Sequence, residues 1–255
     1  MQSVVLEQTD LRVSRLSFGT SRLHHLRWRR DRQALLEAAF DAGFTHFDTS
    51  PYYGFALAEH ELGQVEAIRS GRATIATKVG MYSAQSAART GAAAWSKKAL
   101  GRIIRPWGRA LVDWSLRRAQ SSLTASLRRL RRDHIDLLLL HEPDPDLIEA
   151  DEYLRWFEDE QRQGRVRHWG LAGNREQFAD WMDGHPLGRV LQVRDSLANP
   201  VTKAQITFGY LTAQSSRTGA GVQGVLTDAL ARQQGSVLVS TRRRDRLAEL
   251  ADVGR

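Results

Sequence analysis

Short apolar runs with strand character alternate with segments of helical spacing along almost all of this 255-residue chain. The run "IDLLLLH" at 135–141 constrains the fold most, because its four consecutive leucines leave no polar residue on either face of that stretch. A strand with one wet face alternates polar and apolar residues. A continuously apolar strand belongs to a parallel sheet covered on both faces. The other strand-like runs are "RLSFGT", "FTHFDT", "ATIATKV", "VRHWGLA", "RVLQVR", "QITFGYL" and "SVLVS". Helical spacing marks residues 31–42, 57–68, 114–130, 149–162, 175–183, 218–233 and 243–251. Residues 3–14 read as a hairpin with Thr9 and Asp10 near its turn.

Eight strands after a hairpin, with helices between most pairs, predict an α/β protein: one (β/α)8 TIM barrel domain over residues 1–255. The alternative is an open doubly wound sheet. That fold usually carries a Gly-rich phosphate turn after its first strand, and "SFGTSRLHH" is not one. The sixth and seventh strands lie only about a dozen residues apart, a tight parallel crossover, so the sixth helix region is shortened. Residues 81–113 have no clean period. A connection of that length is expected to be a functional loop or partly disordered. Trp95 and Trp107 within it are candidates to line a substrate cavity, or simply to pack the loop.

The formal charge is +8, carried mostly by arginines spread along the chain. A basic surface suits phosphorylated or acidic ligands and, less directly, nucleic acid. Solvated helix faces explain it more simply. The basic runs carry no interleaved aromatics and no RNA-binding signature, so no nucleic-acid partner is expected. A small preference for anionic substrates follows from the charge. There is no cysteine, which excludes disulfides, thiolate metal sites and cysteine nucleophiles. Adjacent His24 and His25, and His46 inside a strand, do not give metal-ligand spacing. No secretory signal or membrane-length apolar run is apparent, and a cytoplasmic location is expected.

Four residues stand at or just beyond the ends of strand-like runs: Asp48, Tyr53, Lys78 and His141. Each alone has a structural explanation: a turn cap, loop packing, a snorkelling amine, a core histidine. Together they fall at the end of the barrel where such folds build their sites. The lysine is the most telling. Of 37 Lys and Arg only four are lysines, Lys78, Lys97, Lys98 and Lys203, so an amine at a strand end is a specific choice. A nearby ammonium favours phenolate, and an aspartate positions that ammonium. The phenol is then expected to serve as proton donor to an oxygen gaining negative charge, with a neutral histidine orienting a carbonyl. No side chain supplies hydride, so a cofactor must.

The motifs "FDTSPYYGFALAEHELG", "IATK", "SLTASLRRLRRDHIDLLLLHEPDPD", "GRVRHWGLAGN", "LQVRDSL" and "SVLVSTRRRDRLAEL" occur in the order and spacing of the aldo-keto reductases, and the chain resembles that family over nearly its whole length. The resemblance implies NADP(H)-dependent interconversion of a carbonyl (aldehyde, ketone or aldose) and an alcohol, with the tetrad at Asp48, Tyr53, Lys78 and His141. Tyr53 takes the catalytic place over Tyr52, because it lies five residues after Asp48 and directly before Gly54. The resemblance further implies a cofactor site at Gly19, Thr20, Asn174, Gln192, Phe208, Ser240, Thr241, Arg242 and Arg246. Phe208 would stack on the nicotinamide, and the arginines would favour NADPH over NADH. The stretch from Val112 to Asp146, "VDWS…HEPDPD", is similar to the sugar-dehydrogenase branch, implying a small carbonyl or sugar substrate. Gly173 stands where Ser usually precedes the Asn, and the chain is short around the sixth helix and after Leu211. The alternative is a barrel of this family used as a binding or regulatory protein with vestigial catalysis.

Overall fold

The computed structural model describes residues 1–83, 110–195, 201, 203–211 and 221–255. Strands β1 (Ser3–Val5) and β2 (Arg12–Ser14) form the expected antiparallel hairpin, with Val4 opposite Val13. The barrel begins at β3 (Leu16–Gly19). There follow α1 (Arg29–Asp41), β4 (His46–Asp48), α2 (Leu57–Leu62), α3 (Glu66–Arg69) and β5 (Thr74–Val79). A two-stranded antiparallel ribbon of β6 (Met81–Ser83) and β7 (Ala110–Val112) comes next. Beyond it are α4 (Leu116–Leu130), β8 (Ile135–His141), α5 (Ala150–Arg162), β9 (Val166–Gly173), α6 (Ala179–Met182) and β10 (Val190–Arg194). The last elements are β11 (Ile206–Phe208), α7 (Val222–Arg232), β12 (Ser236–Val239) and α8 (Arg246–Val253).

Strands β3, β4, β5, β8, β9, β10, β11 and β12 close into a parallel barrel in that order, β12 pairing back on β3. This is the (β/α)8 architecture that the alternation predicts. All seven residues of β8 are buried. The helices follow from apolar stripes. In α4, Ala119, Leu123, Ser126 and Leu130 recur at three- and four-residue intervals and are buried, while the arginines of the last turn face the negative helix end. Arg15 donates to the carbonyls of Leu230, Gln233, Gln234 and Gly235, satisfying the C-terminal end of α7.

The barrel core has two parts. The larger cluster packs strands against the surrounding helices. The smaller one gathers Leu6, Leu11 and Val13 from the hairpin with Ala76, Leu137, Leu139, Ala172, Val190 and Ile206. Side chains alternate along a strand. Apolar residues that face the hairpin therefore oblige the residues two further along to share that side. This rule carries Ala76 to Lys78, Leu139 to His141, Val190 to Gln192 and Ile206 to Phe208. The hairpin closes one end of the barrel with hydrocarbon, and polar side chains collect at the other.

Three local expectations are corrected. The helix expected over 57–68 is two, α2 and α3, interrupted around Gly63. A Cβ on Gly63 would stand 2.0 Å from the Arg129 carbonyl oxygen, so close contact with the end of α4 requires glycine there. The helix expected over 175–183 is a 3-10 turn, Arg175–Gln177, and the one-turn α6. The stretch 81–113 begins and ends in the β6–β7 ribbon, with Met81 opposite Val112, which periodicity could not reveal because its two strands are far apart in sequence. Trp95 and Trp107 lie outside the described residues, as do most of the shortened region between β10 and β11 and the segment directly after Leu211.

His46 illustrates the energetics of the barrel interior. It is fully buried, its Nδ1 lies 2.8 Å from Thr74 Oγ1, and its Nε2 has no hydrogen-bond partner among the described residues. Burial lowers its pKa from 6.5 to about 4, opposed by the charges of Asp48 and Asp136. The unfolded chain therefore binds this proton first on acidification. The stability is fully present above pH ~6.5 and is lost progressively as the pH falls toward ~4. At pH 5 the cost from His46 is on the order of 2 kcal/mol. Urea unfolding at pH 7.5 and pH 5 checks this: His46→Gln is expected to flatten the pH slope, and an unchanged slope refutes it.

Candidate active site

The C-terminal ends of the barrel strands surround a cavity of about 460 Å³. Asp48 ends β4, Lys78 is the penultimate residue of β5, and His141 ends β8. Tyr53 comes from the turn after β4, where its backbone N–H donates to Ser50 O at 2.9 Å. All four line this one cavity.

Lys78 is 1% and Asp48 2% exposed, and Lys78 Nζ makes a close ion pair with Asp48 Oδ1. The amine also donates to Thr49 O at 2.8 Å. Burial lowers the Lys78 pKa, while Asp48, Glu59 and Glu142 counter it. The ammonium lies 5.0 Å from the centroid of the Tyr53 ring. The His141 ring sits edge-on to Tyr53 with centroids 5.9 Å apart, and its Nδ1 is 3.3 Å from Ser50 Oγ. Burial and the Lys78 charge hold the His141 pKa well below 6.5, so the ring is neutral.

The expected acidification of the phenol is not present in this geometry. Burial pushes the Tyr53 pKa well above 10, and the Asp48 and Glu142 carboxylates push it further. The reason is electrostatic. The Lys78 charge is largely neutralised by Asp48, and loss of water from around the phenolate dominates. Tyr53 is therefore held in its proton-bearing form.

The nine cofactor candidates divide. Gly19, Gln192, Phe208 and Ser240 line the cavity, whereas Thr20, Asn174, Thr241, Arg242 and Arg246 do not. Thr20 is buried, and its hydroxyl donates to Asp48 O at 2.9 Å, tying the ends of β3 and β4 together. Gln192 Nε2 donates to Asp48 Oδ1 at 2.9 Å, which leaves its buried Oε1 without a partner among the described residues. The Arg194 guanidinium lies 5.8 Å from the centroid of the Phe208 ring. Thr241 accepts from Arg243 N at 3.0 Å, forming the turn before α8. Arg243 pairs with Asp245, whereas Arg242 and Arg246 are exposed and make no ion pair with a described residue.

Glu142 was not anticipated from the sequence, although it directly follows His141 in "HEPDP". It lines the cavity. Its backbone is in the left-handed region, at φ 53°. Its Oε2 accepts from the Asn174 backbone N–H at 3.1 Å and from Asn174 Nδ2 at 3.3 Å. Gly173 makes this possible, because a Cβ there would stand 2.5 Å from the same oxygen. Arg22 and Arg194 also line the cavity and were not singled out. Among the described residues no group of three or more His, Cys, Asp or Glu is disposed to hold a metal ion, and no helix is long and apolar enough to cross a membrane.

The model of the aldo/keto reductase family matches residues 15–187, and the chain belongs to that family. A pyridoxal 4-dehydrogenase of Microbacterium luteolum is 36% identical over 146 residues, 54% of this chain and 42% of that protein. An L-galactose dehydrogenase of Arabidopsis thaliana is 28% identical over 176 residues, 66% of this chain and 47% of that one. The chain thus spans about half the length of these curated relatives. Among solved structures, a glycerol dehydrogenase from Gluconobacter oxydans superposes with a TM-score of 0.75 at 19% identity, over 98% of this chain and 89% of that one. An aldo-keto reductase from Klebsiella pneumoniae in complex with NADPH gives 0.71 at 20% identity, over 100% and 90%. At such identities these structures speak to the fold.

Proposed function

We propose that this chain is an NADP(H)-dependent oxidoreductase that interconverts a small carbonyl compound or sugar and the corresponding alcohol by hydride transfer, with Tyr53 as general acid/base. The observation that carries this reading is the convergence of Tyr53, Lys78, Asp48 and His141 on one cavity at the strand ends. Tyr53 holds the proton that the substrate oxygen takes up in reduction. Lys78, fixed by Asp48 and Thr49, packs its ammonium against the face of the phenol ring and holds the ring in place. Neutral His141 is suited to a hydrogen bond that orients a carbonyl without itself taking the proton.

The residues present fit a nicotinamide dinucleotide. Gln192 Oε1 is an orphaned buried acceptor that a carboxamide N–H would satisfy, and Phe208 offers an aromatic face at the same cavity. When bound, the cofactor would supply the hydride. Ser240 is the contact candidate at the cavity, with the free guanidinium groups of Arg242 and Arg246 beyond it for a 2′-phosphate. Following nicotinamide absorbance with aldehydes and aldoses and both cofactors tests the whole reading. NADPH is expected to bind about tenfold or more tightly than NADH, and the Arg242→Ala/Arg246→Ala double variant to lose that margin. Equal affinities would remove the arginines from the site.

A binding or regulatory protein with vestigial catalysis is the second reading. It is favoured by one observation: five of the nine cofactor candidates do not line the cavity. The absence of NADPH binding at millimolar concentration in a fluorescence titration would support it.

A further inference from the structure

We propose that Glu142 is a specificity-determining residue: its carboxylate excludes carbonyl compounds that carry negative charge and accepts a hydrogen bond from a neutral hydroxyl of the substrate. This rests on the oxidoreductase reading and adds to it the kind of molecule the cavity takes.

The geometry begins with a fixed anion. Oε2 of Glu142 is held by both N–H donors of Asn174, and the carboxylate lies against Gly173, where any side chain would collide with it. The left-handed backbone of Glu142 and its N–H bond to Ala172 O at 2.6 Å fix the residue from the other side. The side chain lines the cavity, and Oε1 makes no hydrogen bond with a described residue, so one acceptor remains for a ligand.

The charge count at the reaction centre follows. Asp48 and Lys78 cancel as a buried pair. Glu59, behind Lys78, is paired with Arg129 at 2.6 Å. His141 is neutral. Glu142 is therefore the one carboxylate of the cavity lining that is not ion-paired with a described residue. Arg22 and Arg194 line the same cavity, with Arg194 set against Phe208, and neither makes an ion pair with Glu142, so their influence on a charged substrate is separated from that of Glu142 by substitution. In a partly desolvated cavity a fixed carboxylate repels a second anion and leaves a neutral hydroxyl able to donate to it. This runs against the preference for anionic substrates that the net charge of +8 suggests. Surface charge acts over the whole molecule, whereas selection occurs where the substrate sits.

The test uses the full chain, NADPH and three aldehydes of one shape: 4-carboxybenzaldehyde, 4-(hydroxymethyl)benzaldehyde and 4-(trimethylammonio)benzaldehyde. In the unmodified protein kcat/KM for the neutral and cationic aldehydes is expected to exceed that for the carboxylate by about tenfold or more. Glu142→Gln, which keeps an acceptor for Asn174, is expected to shrink that ratio about tenfold, mainly by improving the carboxylate substrate. Arg194→Gln is expected to leave the ratio within about twofold. A carboxylate preference in the unmodified protein, or a ratio that responds to Arg194→Gln and not to Glu142→Gln, would overturn the proposal. Calorimetric binding of the same aldehydes separates the two readings. Charge discrimination that depends on Glu142 without any turnover would sink the oxidoreductase reading alone. Binding indifferent to Glu142→Gln would sink this one.

Discussion

Tyr53→Phe is expected to lower turnover by about three orders of magnitude, while the affinity for NADPH is expected to stay nearly unchanged. The size follows from what the hydroxyl does in the proposed reaction. Proton transfer by a positioned side chain contributes roughly 10²–10⁴-fold, and the two groups nearest the phenol are poorly placed to take over its role. Lys78 is bound to Asp48 and Thr49, and His141 is neutral with one ring nitrogen beside Ser50. Removing one oxygen leaves the ring, its contact with His141 and the Lys78 ammonium near its face in place. Steady-state kinetics on the best substrate, with a fluorescence titration of cofactor, provides the check. Activity within about tenfold of the unmodified protein would remove Tyr53 from the general acid/base role.

Lys78→Met costs about 3–5 kcal/mol of folding stability in addition to activity, because it strands the Asp48 carboxylate in the barrel. Asp48 is 2% exposed, and after the substitution Gln192 Nε2 is its one remaining side-chain donor among the described residues. Methionine fills the volume of the lysine stem, so the loss reports charge more than packing. Asp48→Asn in the same chain should recover most of it, because a neutral amide has no unpaired charge to bury. Urea unfolding of the two single variants and the double variant forms a thermodynamic cycle, in which an interaction energy below about 1 kcal/mol would show the pair to be energetically unimportant. Activity should not return in the double variant, which separates the pair's structural work from its proposed chemical work.

The barrel was legible because its signal is local. A parallel strand covered on both faces is apolar on both, so the four leucines of β8 announce it, and the alternation with helical segments sets the topology class. The strand-end positions of Asp48, Lys78 and His141 were legible for a related reason: each directly follows or closes an apolar run, and the period-two rule then shows why the structure turns Lys78 and His141 inward. Gln192 and Phe208 reach the cavity by the same rule. The β6–β7 ribbon was not legible, because its strands pair across a long intervening segment and neither strand carries a pattern of its own. The interruption at Gly63 was hidden too, since glycine is tolerated within helical spacing and the cause lies in the approach of the Arg129 carbonyl.

Tyrosine beside lysine reads, in sequence, as a phenol made acidic. Whether it is depends on distances and burial, and here the ammonium is already spent on Asp48 while desolvation acts on the ring. Glu142 is a charge in a loop until β8 and β9 pair and bring it over Gly173. Periodicity by itself pointed to alternating strands and helices, the hairpin and a parallel sheet, with a closed barrel favoured over an open sheet, because strand burial and alternation are properties of short segments. Tertiary structure alone decided the environment of the Tyr53 phenol, the partner of Gln192 and the placement of Glu142 at the cavity, because electrostatic energies depend on separations and water access that no stretch of chain carries by itself.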